Sequence, residues 1–163
     1  MKRQKFSHEV LIKTVVHDAN DGLFYDKYLT EIGCKPKPLG GVVPQGYRKI
    51  GLFGLYFSEH RLAWFYHYGE WPKNYIDHIN GLKADNRIGN LRDVTKKQNG
   101  ENRHSLSGKS GVRGVCWASK QGAWKAYVRH DSKLYQFGFF KEKSDAEAAA
   151  KAARDKFFTH HTA

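Results

Sequence analysis

The chain has 163 residues, enough for one domain of common size or two small ones, and carries 28 Lys+Arg against 16 Asp+Glu for a formal net charge of +12. With a pI near 9.7 this implies a polyanionic partner, nucleic acid first. Two lone cysteines, Cys34 and Cys116, with no Cys-x-x-Cys pair, exclude a disulfide framework and argue against a structural zinc site. No apolar run of about 18 residues exists to cross a membrane. The basic start, Met1 to Lys5, is followed by no apolar stretch of signal-peptide length, so a soluble, intracellular (cytoplasmic) protein is expected.

Over residues 1–34 the spacing of Val10, Leu11, Thr14 and Val15 suggests a helix, Asp18 to Gly22 a turn, and Leu23-Phe24-Tyr25 a strand. Lys35 to Gly41 is a Pro/Gly-rich loop. Residues 46–50 and 52–57 read as a hairpin turning at Gly51 or Gly54. Ser58 is a candidate N-cap for a helix over about 59–68, with Leu62, Ala63, Phe65 and Tyr66 on its buried face; Trp64 and Trp71 are expected to pack beside it. Tyr75-Ile76 and Ile79 read as a short strand before a polar loop, and Leu91 to Val94 as another. Thr95 and Gln98 have the spacing of a capping box, placing Asn99 one turn into a further helix. Strand, loop, strand and helix make a compact ββα unit.

That unit carries the chemistry. A hard divalent cation takes oxygen ligands and keeps several waters. Asp77 offers a charged oxygen and Asn99 a neutral one, while His78 is a candidate general base for an attacking water. The metal would stabilise charge developing on a phosphate. Because strand neighbours point to opposite faces, Asp77 and His78 can serve one phosphate only if it lies between them or the strand end is irregular. Asp77, Asn80, Asn86 and Asn90 also suit turns, Asn80-Gly81 strongly so. For Asn80 and Asn86 both readings stay open. His60 could be a packed core histidine, and Arg61 could reach a phosphate or brace the loop. Arg87, Arg92, Lys96, Lys97 and Arg103 surround the unit and are expected to grip backbone phosphates; a solvated charged face is the alternative.

His104 to Ser110 reads as a linker. Strands follow at Val112 to Trp117, Ala123 to His130 and Leu134 to Phe140. Trp124, Ala126 and Val128 face one way and Lys125, Tyr127 and Arg129 the other; Tyr135 and Phe137 are assigned to the core face and Gln136 opposite. Ser144 and Glu147 suggest a capping box for a helix to about Phe158, whose Ala146, Ala149, Ala150 and Ala153 allow close packing on a sheet.

The run His60-Arg61-Leu62-Ala63-Trp64, then Gly69-Glu70-Trp71-Pro72, Ile76 to Gly81, Asp85-Asn86-Arg87, Asn90-Leu91-Arg92, Val94-Thr95 and Asn99 resembles the HNH homing and phage endonucleases, over roughly residues 42–103. The resemblance implies a ββα-metal finger with one divalent ion, Mg²⁺ or Mn²⁺, held by Asp77 and Asn99. It implies His78 as general base and Asn90 as the Asn that braces the loop. Asn99 stands where many HNH enzymes have His. Residues 111 to about 158 resemble the APETALA-type DNA-binding domain of plant ethylene-response factors, through Val112 to Val115, Trp124, Ala126, Val128-Arg129, Phe137 to Phe140 and the Ala-rich helix. In that family the sheet lies in the major groove, which would turn Arg113, Lys125, Tyr127, Arg129 and Gln136 to DNA. Cys116, Tyr127, Leu134 and Gln136 depart from the plant pattern, so the preferred site does not transfer.

The expected fold is α+β: an HNH module (1–103, with an N-terminal helix and strand region 1–58), a linker (104–110) and a three-stranded antiparallel sheet packed on one helix (111–163). The expected function is a metal-dependent endonuclease hydrolysing a phosphodiester bond of duplex DNA, one ion making one nick. The rivals are a non-catalytic DNA-binding protein that keeps the HNH fold, and RNA as the ligand. Monomer, homodimer and membership of a larger phage assembly all remain open, and the origin implied by resemblance is a phage or mobile element.

Overall fold

The computed structural model describes residues 6–101 and 110–159, and divides the chain into two units, residues 1–96 and 97–163. Arg103 and all of the expected linker but Ser110 lie outside the described residues.

The first unit begins with α1 (His8–Thr14), started by Ser7, whose hydroxyl accepts from the Val10 N–H at 3.3 Å. Strands β1 (Val15–His17) and β2 (Phe24–Asp26) pair antiparallel across the Asp18 to Gly22 turn. A short helix not foreseen in the sequence, α2 (Lys27–Glu31), follows because the Asp26 carboxylate caps it, accepting from the Leu29 N–H at 2.9 Å. Three strands, β3 (Gly41–Val42), β4 (Arg48–Leu52) and β5 (Leu55–Ser58), form a sheet in that order. The β4–β5 turn is Phe53-Gly54, both at positive φ (54° and 71°), the two-residue conformation that matches strand twist, so Gly54 and not Gly51 makes the corner.

Helix α3 (Glu59–Tyr68) has Ser58 at its N-cap position without a side-chain bond, and Gly69 closes it at φ 73°, donating to the Phe65 carbonyl. Strands β6 (Tyr75–His78) and β7 (Leu91–Val94) pair antiparallel, with a 3-10 turn at Ile88–Asn90 leading into β7. One apolar cluster ties these pieces together: Leu11, Val15 and Phe24 meet Ile50, then Leu62, Ala63 and Phe65 of α3, then Ile76 and Leu91. Phe65 stacks on Trp71 at 4.6 Å, and Trp64 packs against the same cluster. The candidate strand β6 is therefore held through its Ile76 face.

Helix α4 (Lys96–Glu101) starts one residue after Thr95, at the boundary of the units; the second unit continues with β8 (Val115–Ala118), β9 (Ala123–His130), β10 (Lys133–Phe140) and α5 (Lys143–Phe157). The sheet is antiparallel in the order β8-β9-β10. Ala126 and Val128 of β9 are buried, and Ala146, Ala150 and Ala153 of α5 supply small side chains to the same two apolar clusters. Two expectations are corrected. The β9–β10 register shifts between Gln136 and Gly138, so Tyr135, Gly138 and Phe140 oppose Val128, Ala126 and Trp124. Phe137 is the extra residue of this bulge, 38% exposed, with its ring edge-on to that of Phe157 at 6.0 Å. The helix α5 also begins earlier than Ser144, with Glu142 at the cap position and no side-chain cap bond. Among the described residues, no helix is long and apolar enough to cross a membrane.

Candidate nuclease site

On β6, alternation sends Asp77 and His78 to opposite faces. Asp77 stands directly across the ladder from Arg92, whose Nε and Nη2 both donate to the carboxylate Oδ2, at 2.9 and 2.8 Å. His78, the last residue of β6, turns the other way. Its Nε2 lies 3.2 Å from Asn86 Oδ1. Asn86 Nδ2 donates to Glu59 Oε2 at 3.3 Å. Arg48 completes the chain, with Nε on Glu59 Oε2, and Nη2 on Glu59 Oε1 at 3.5 Å and on the Leu39 carbonyl at 3.2 Å. Glu59 and Asn86 are fully buried, while His78 and Asp77 are 5% and 8% exposed. The rings of His60 (5.4 Å) and Tyr47 (6.1 Å) flank His78.

Burial sets the protonation of this pocket. It holds the His78 imidazole below the ordinary histidine value, against the opposing pull of the Asn86 bond and of Asp77. His60 falls to about 4, through burial first and then the neighbouring His78 and Arg61, and its buried Nδ1 makes no hydrogen bond. Glu59 is pushed up by desolvation, with the Arg48 guanidinium pulling against it.

The loop between the strands is tied at both ends. Asn90 Oδ1 accepts from the Asn80 N–H at 3.0 Å, Asn90 Nδ2 donates to the Asp85 carbonyl at 2.9 Å, and the Asn90 carbonyl accepts from the Ile79 N–H at 2.9 Å. Asn80 also makes a turn, accepting from the Leu82 N–H and donating to Asp85 Oδ2 at 2.7 Å. Arg87 clasps Asp85 through Nε and Nη2, at 2.8 and 2.5 Å, and this pairing draws the Asp85 carboxyl down to about 2. From behind, Gly22 presses on the loop: a Cβ there would lie 2.3 Å from the Arg87 nitrogen.

The other anticipated residues fall into two groups. Arg61 donates to the Asn74 and Pro72 carbonyls at 3.0 and 3.2 Å, bracing the turn before β6. Lys96 is exposed. In the second unit, Lys97 pairs with Asp131 at 2.7 Å, and Asn99 is the fourth residue of α4. Arg113 donates to the Glu101 and Gly100 carbonyls at 2.6 and 3.0 Å and lies over the Phe158 ring. Lys125 sits over the Tyr127 ring at 5.5 Å; Gln136 opposes Tyr127 and Arg129 opposes Leu134 across the β9–β10 ladder. Nothing in the sequence singles out Arg48 or Glu59, and Asn86 stands within the HNH-like run with its turn-forming and functional readings both open. Nothing local marks their association, which joins residues 11 and 27 positions apart.

Among the described residues, no three His, Cys, Asp or Glu side chains gather into a set that could hold a metal ion. One carboxylate with carboxamide oxygens to supplement it suits a hard cation that keeps most of its waters, and not a caged or thiophilic metal.

A family model for HNH endonuclease matches residues 59–101, which span α3, β6, the loop, β7 and α4. The chain is also similar to Protein 3.8 of Escherichia phage T7, 32% identical over 81 residues that make up 48% of this chain and 67% of that protein. No solved structure matches. The segment bearing Asp77, His78 and Asn90 is thus the segment with HNH character, which supports a nuclease-type function: the chain belongs to one family with phage T7 Protein 3.8 and carries an HNH endonuclease domain at residues 59–101.

Proposed function

We propose that the protein is a divalent-metal-dependent DNA endonuclease in which β6, β7 and α4 act as a ββα finger and His78 is the general base. The observation that carries this reading is the fixing of His78, inside the matched segment, by a buried acceptor on a neutral imidazole. A general base needs a defined lone pair and a value near or below the working pH. With the phosphate lying between the two faces at the end of β6, His78 takes the proton of the attacking water. Asp77 and Asn99 are the oxygen donors that would hold one Mg²⁺ or Mn²⁺. Bound there, the ion supplies positive charge to the phosphate and the leaving oxygen. Arg92 orients the Asp77 carboxylate, and Asn90 holds the loop against β7. One such centre makes one cut, so a single copy nicks duplex DNA.

The sheet of β8, β9 and β10 serves as an APETALA-like DNA-binding face, presenting Lys125, Tyr127, Arg129 and Gln136. A phage origin and a host-cytoplasmic site of action accord with the likeness to the T7 protein.

The test is supercoiled plasmid incubated with Mg²⁺, with Mn²⁺ and with chelator. Nicking is expected with metal, lost in chelator, and reduced about 10²–10⁴-fold in His78→Ala. The burial of His78 and Asp77 equally suits a DNA-binding protein that retains the fold without catalysis; binding without metal-dependent nicking selects that reading.

A further inference from the structure

We infer that Arg48, Glu59 and Asn86 form a positioning relay that selects the imidazole tautomer of His78, with the proton on Nε2 and the basic lone pair on Nδ1. The relay runs inward from β4, through the first residue of α3, to the loop residue Asn86, and ends on the ring. This deepens the proposed nuclease reading and rests on it for its functional consequence, though the tautomer itself can be observed without any activity.

Arginine does not deprotonate in proteins, so Arg48 is a fixed cation. Its two guanidinium contacts span both oxygens of Glu59, and the carboxylate is held as an acceptor despite the upward push of burial. An ionised carboxylate has no proton to give, so it takes the NH₂ of the Asn86 amide and never its oxygen. The opposite end of that amide, Oδ1, must then face His78. An oxygen accepts only, so the imidazole nitrogen opposite it is the donor. Nε2 therefore carries the hydrogen, and Nδ1 is the basic nitrogen. Each group in the series leaves its neighbour one choice. The burial of Glu59 and Asn86 keeps water from offering another.

The alternative role, packing alone, predicts something different. A purely structural relay would tolerate any neutral hydrogen-bonded replacement that preserves the fold. In the double variant Arg48→Met/Glu59→Gln both charges are removed together, so no buried charge is stranded. A glutamine can offer either its oxygen or its NH₂ to Asn86, so the amide becomes free to turn and the tautomer is no longer dictated.

The experiment is long-range ¹H–¹⁵N correlation of the histidine rings in the wild-type chain at neutral pH, with His78 assigned by its loss in His78→Gln. A single Nε2–H tautomer is expected. An Nδ1–H or mixed tautomer in the wild type overturns the inference outright, whatever becomes of the variant. In Arg48→Met/Glu59→Gln the ring is expected to show mixed tautomers. Its plasmid nicking should fall by about 10–100-fold in kcat with KM little changed, as outer-shell partners of reacting groups do. A variant that keeps both the single tautomer and the full kcat also overturns it. A wild-type chain that shows the single tautomer but never nicks, under any metal, defeats the nuclease reading and leaves the relay standing.

Discussion

The surroundings of β6 and the outer face of the C-terminal sheet treat their polar groups in opposite ways. Around β6 and α3 nearly every charged or amide side chain named from the sequence is bound within the protein. Arg92 lies on Asp77, Arg87 on Asp85, Arg61 on two carbonyls, and Asn90 on the loop it closes. On the outer face of the β8-β9-β10 sheet, Arg129 and Gln136 are exposed. Fixed groups suit bond-making, where orientation matters most. Accessible ones suit contact with a large charged ligand. So arginines that look equivalent in sequence differ in use: those beside the strand brace the site, while Arg129 on the sheet face remains available to a partner and Arg113 is bound to the Glu101 and Gly100 carbonyls.

The comparison breaks most visibly if one charge is removed from the buried relay. Glu59→Ala leaves Arg48 without its carboxylate and Asn86 without its acceptor. Stranding a buried charge costs about 3–5 kcal/mol. Urea unfolding is expected to show that loss in Glu59→Ala, and little of it in Arg48→Met/Glu59→Gln. Equal losses in both would mean that packing, and not charge, governs this part of the core.

Acid should act on the same region. His17 is held down to about 4 by burial, with the nearby His67 adding to the effect and Asp21 opposing it; His60 falls equally far. Both values lie below the ordinary 6.5 of an unfolded chain. Between pH 6.5 and 4 the unfolded state therefore binds protons that the folded state refuses. Stability conferred by these groups is complete above 6.5 and drains away as the pH falls toward 4, by up to about 3 kcal/mol per histidine. Hydrogen exchange is expected to show amides of α3 and β6 losing protection on going from pH 7 to 5 ahead of those of β9, after correction for intrinsic rates. His17→Gln should flatten the dependence even if it lowers stability at neutral pH.

Much of this architecture was legible along the chain. Helix α3, strands β6 and β7 and the C-terminal strands follow from periodicity and turn residues, and the alternation of Ala126 and Val128 against Arg129 names the buried face of β9. What escaped was set by contacts between distant residues. The bulge at Phe137 is a register choice made by pairing with β9; Gly138 inside the strand, at φ 135°, is a local sign of an irregularity but does not say which residue is extruded. Helix α2 is only five residues long and depends on the Asp26 cap. In the site, Asp77, His78 and Asn90 stood out through motif spacing. Glu59 carries no signal in the sequence beyond its position at the start of the helix expected over about 59–68. Its role comes from Arg48 and Asn86, which the fold brings to it.

Gly22 offers a milder way to sharpen the contrast. Its φ of 72° and the close backbone of Asn86 and Arg87 leave no room for a methyl group. Gly22→Ala is expected to cost about 1–3 kcal/mol through strain and displacement of the loop. It should also disturb the His78 ring signals without changing those of β9 and β10. Undisturbed His78 signals in a destabilised variant would show that the loop holds Asn86 in place independently of the turn behind it.

The smallest effect on stability, and the most telling about use, is expected on the sheet face. Arg129 is exposed opposite Leu134, and Gln136 is exposed opposite Tyr127. Truncating either to Ala removes little that the folded chain relies on, so unfolding midpoints should move by no more than about 0.5 kcal/mol. DNA binding should respond differently. Arg129→Ala is expected to weaken binding across sequences and lower the slope of log affinity on log salt by about one if it meets a phosphate. If it reads a base, discrimination at one position should fall by about 1–3 kcal/mol instead. Fluorescence anisotropy over a salt series with duplexes of varied sequence separates these outcomes. A variant with unchanged affinity, salt slope and sequence preference would remove this face from the DNA-binding surface, and the exposed cations would then be a solvated exterior.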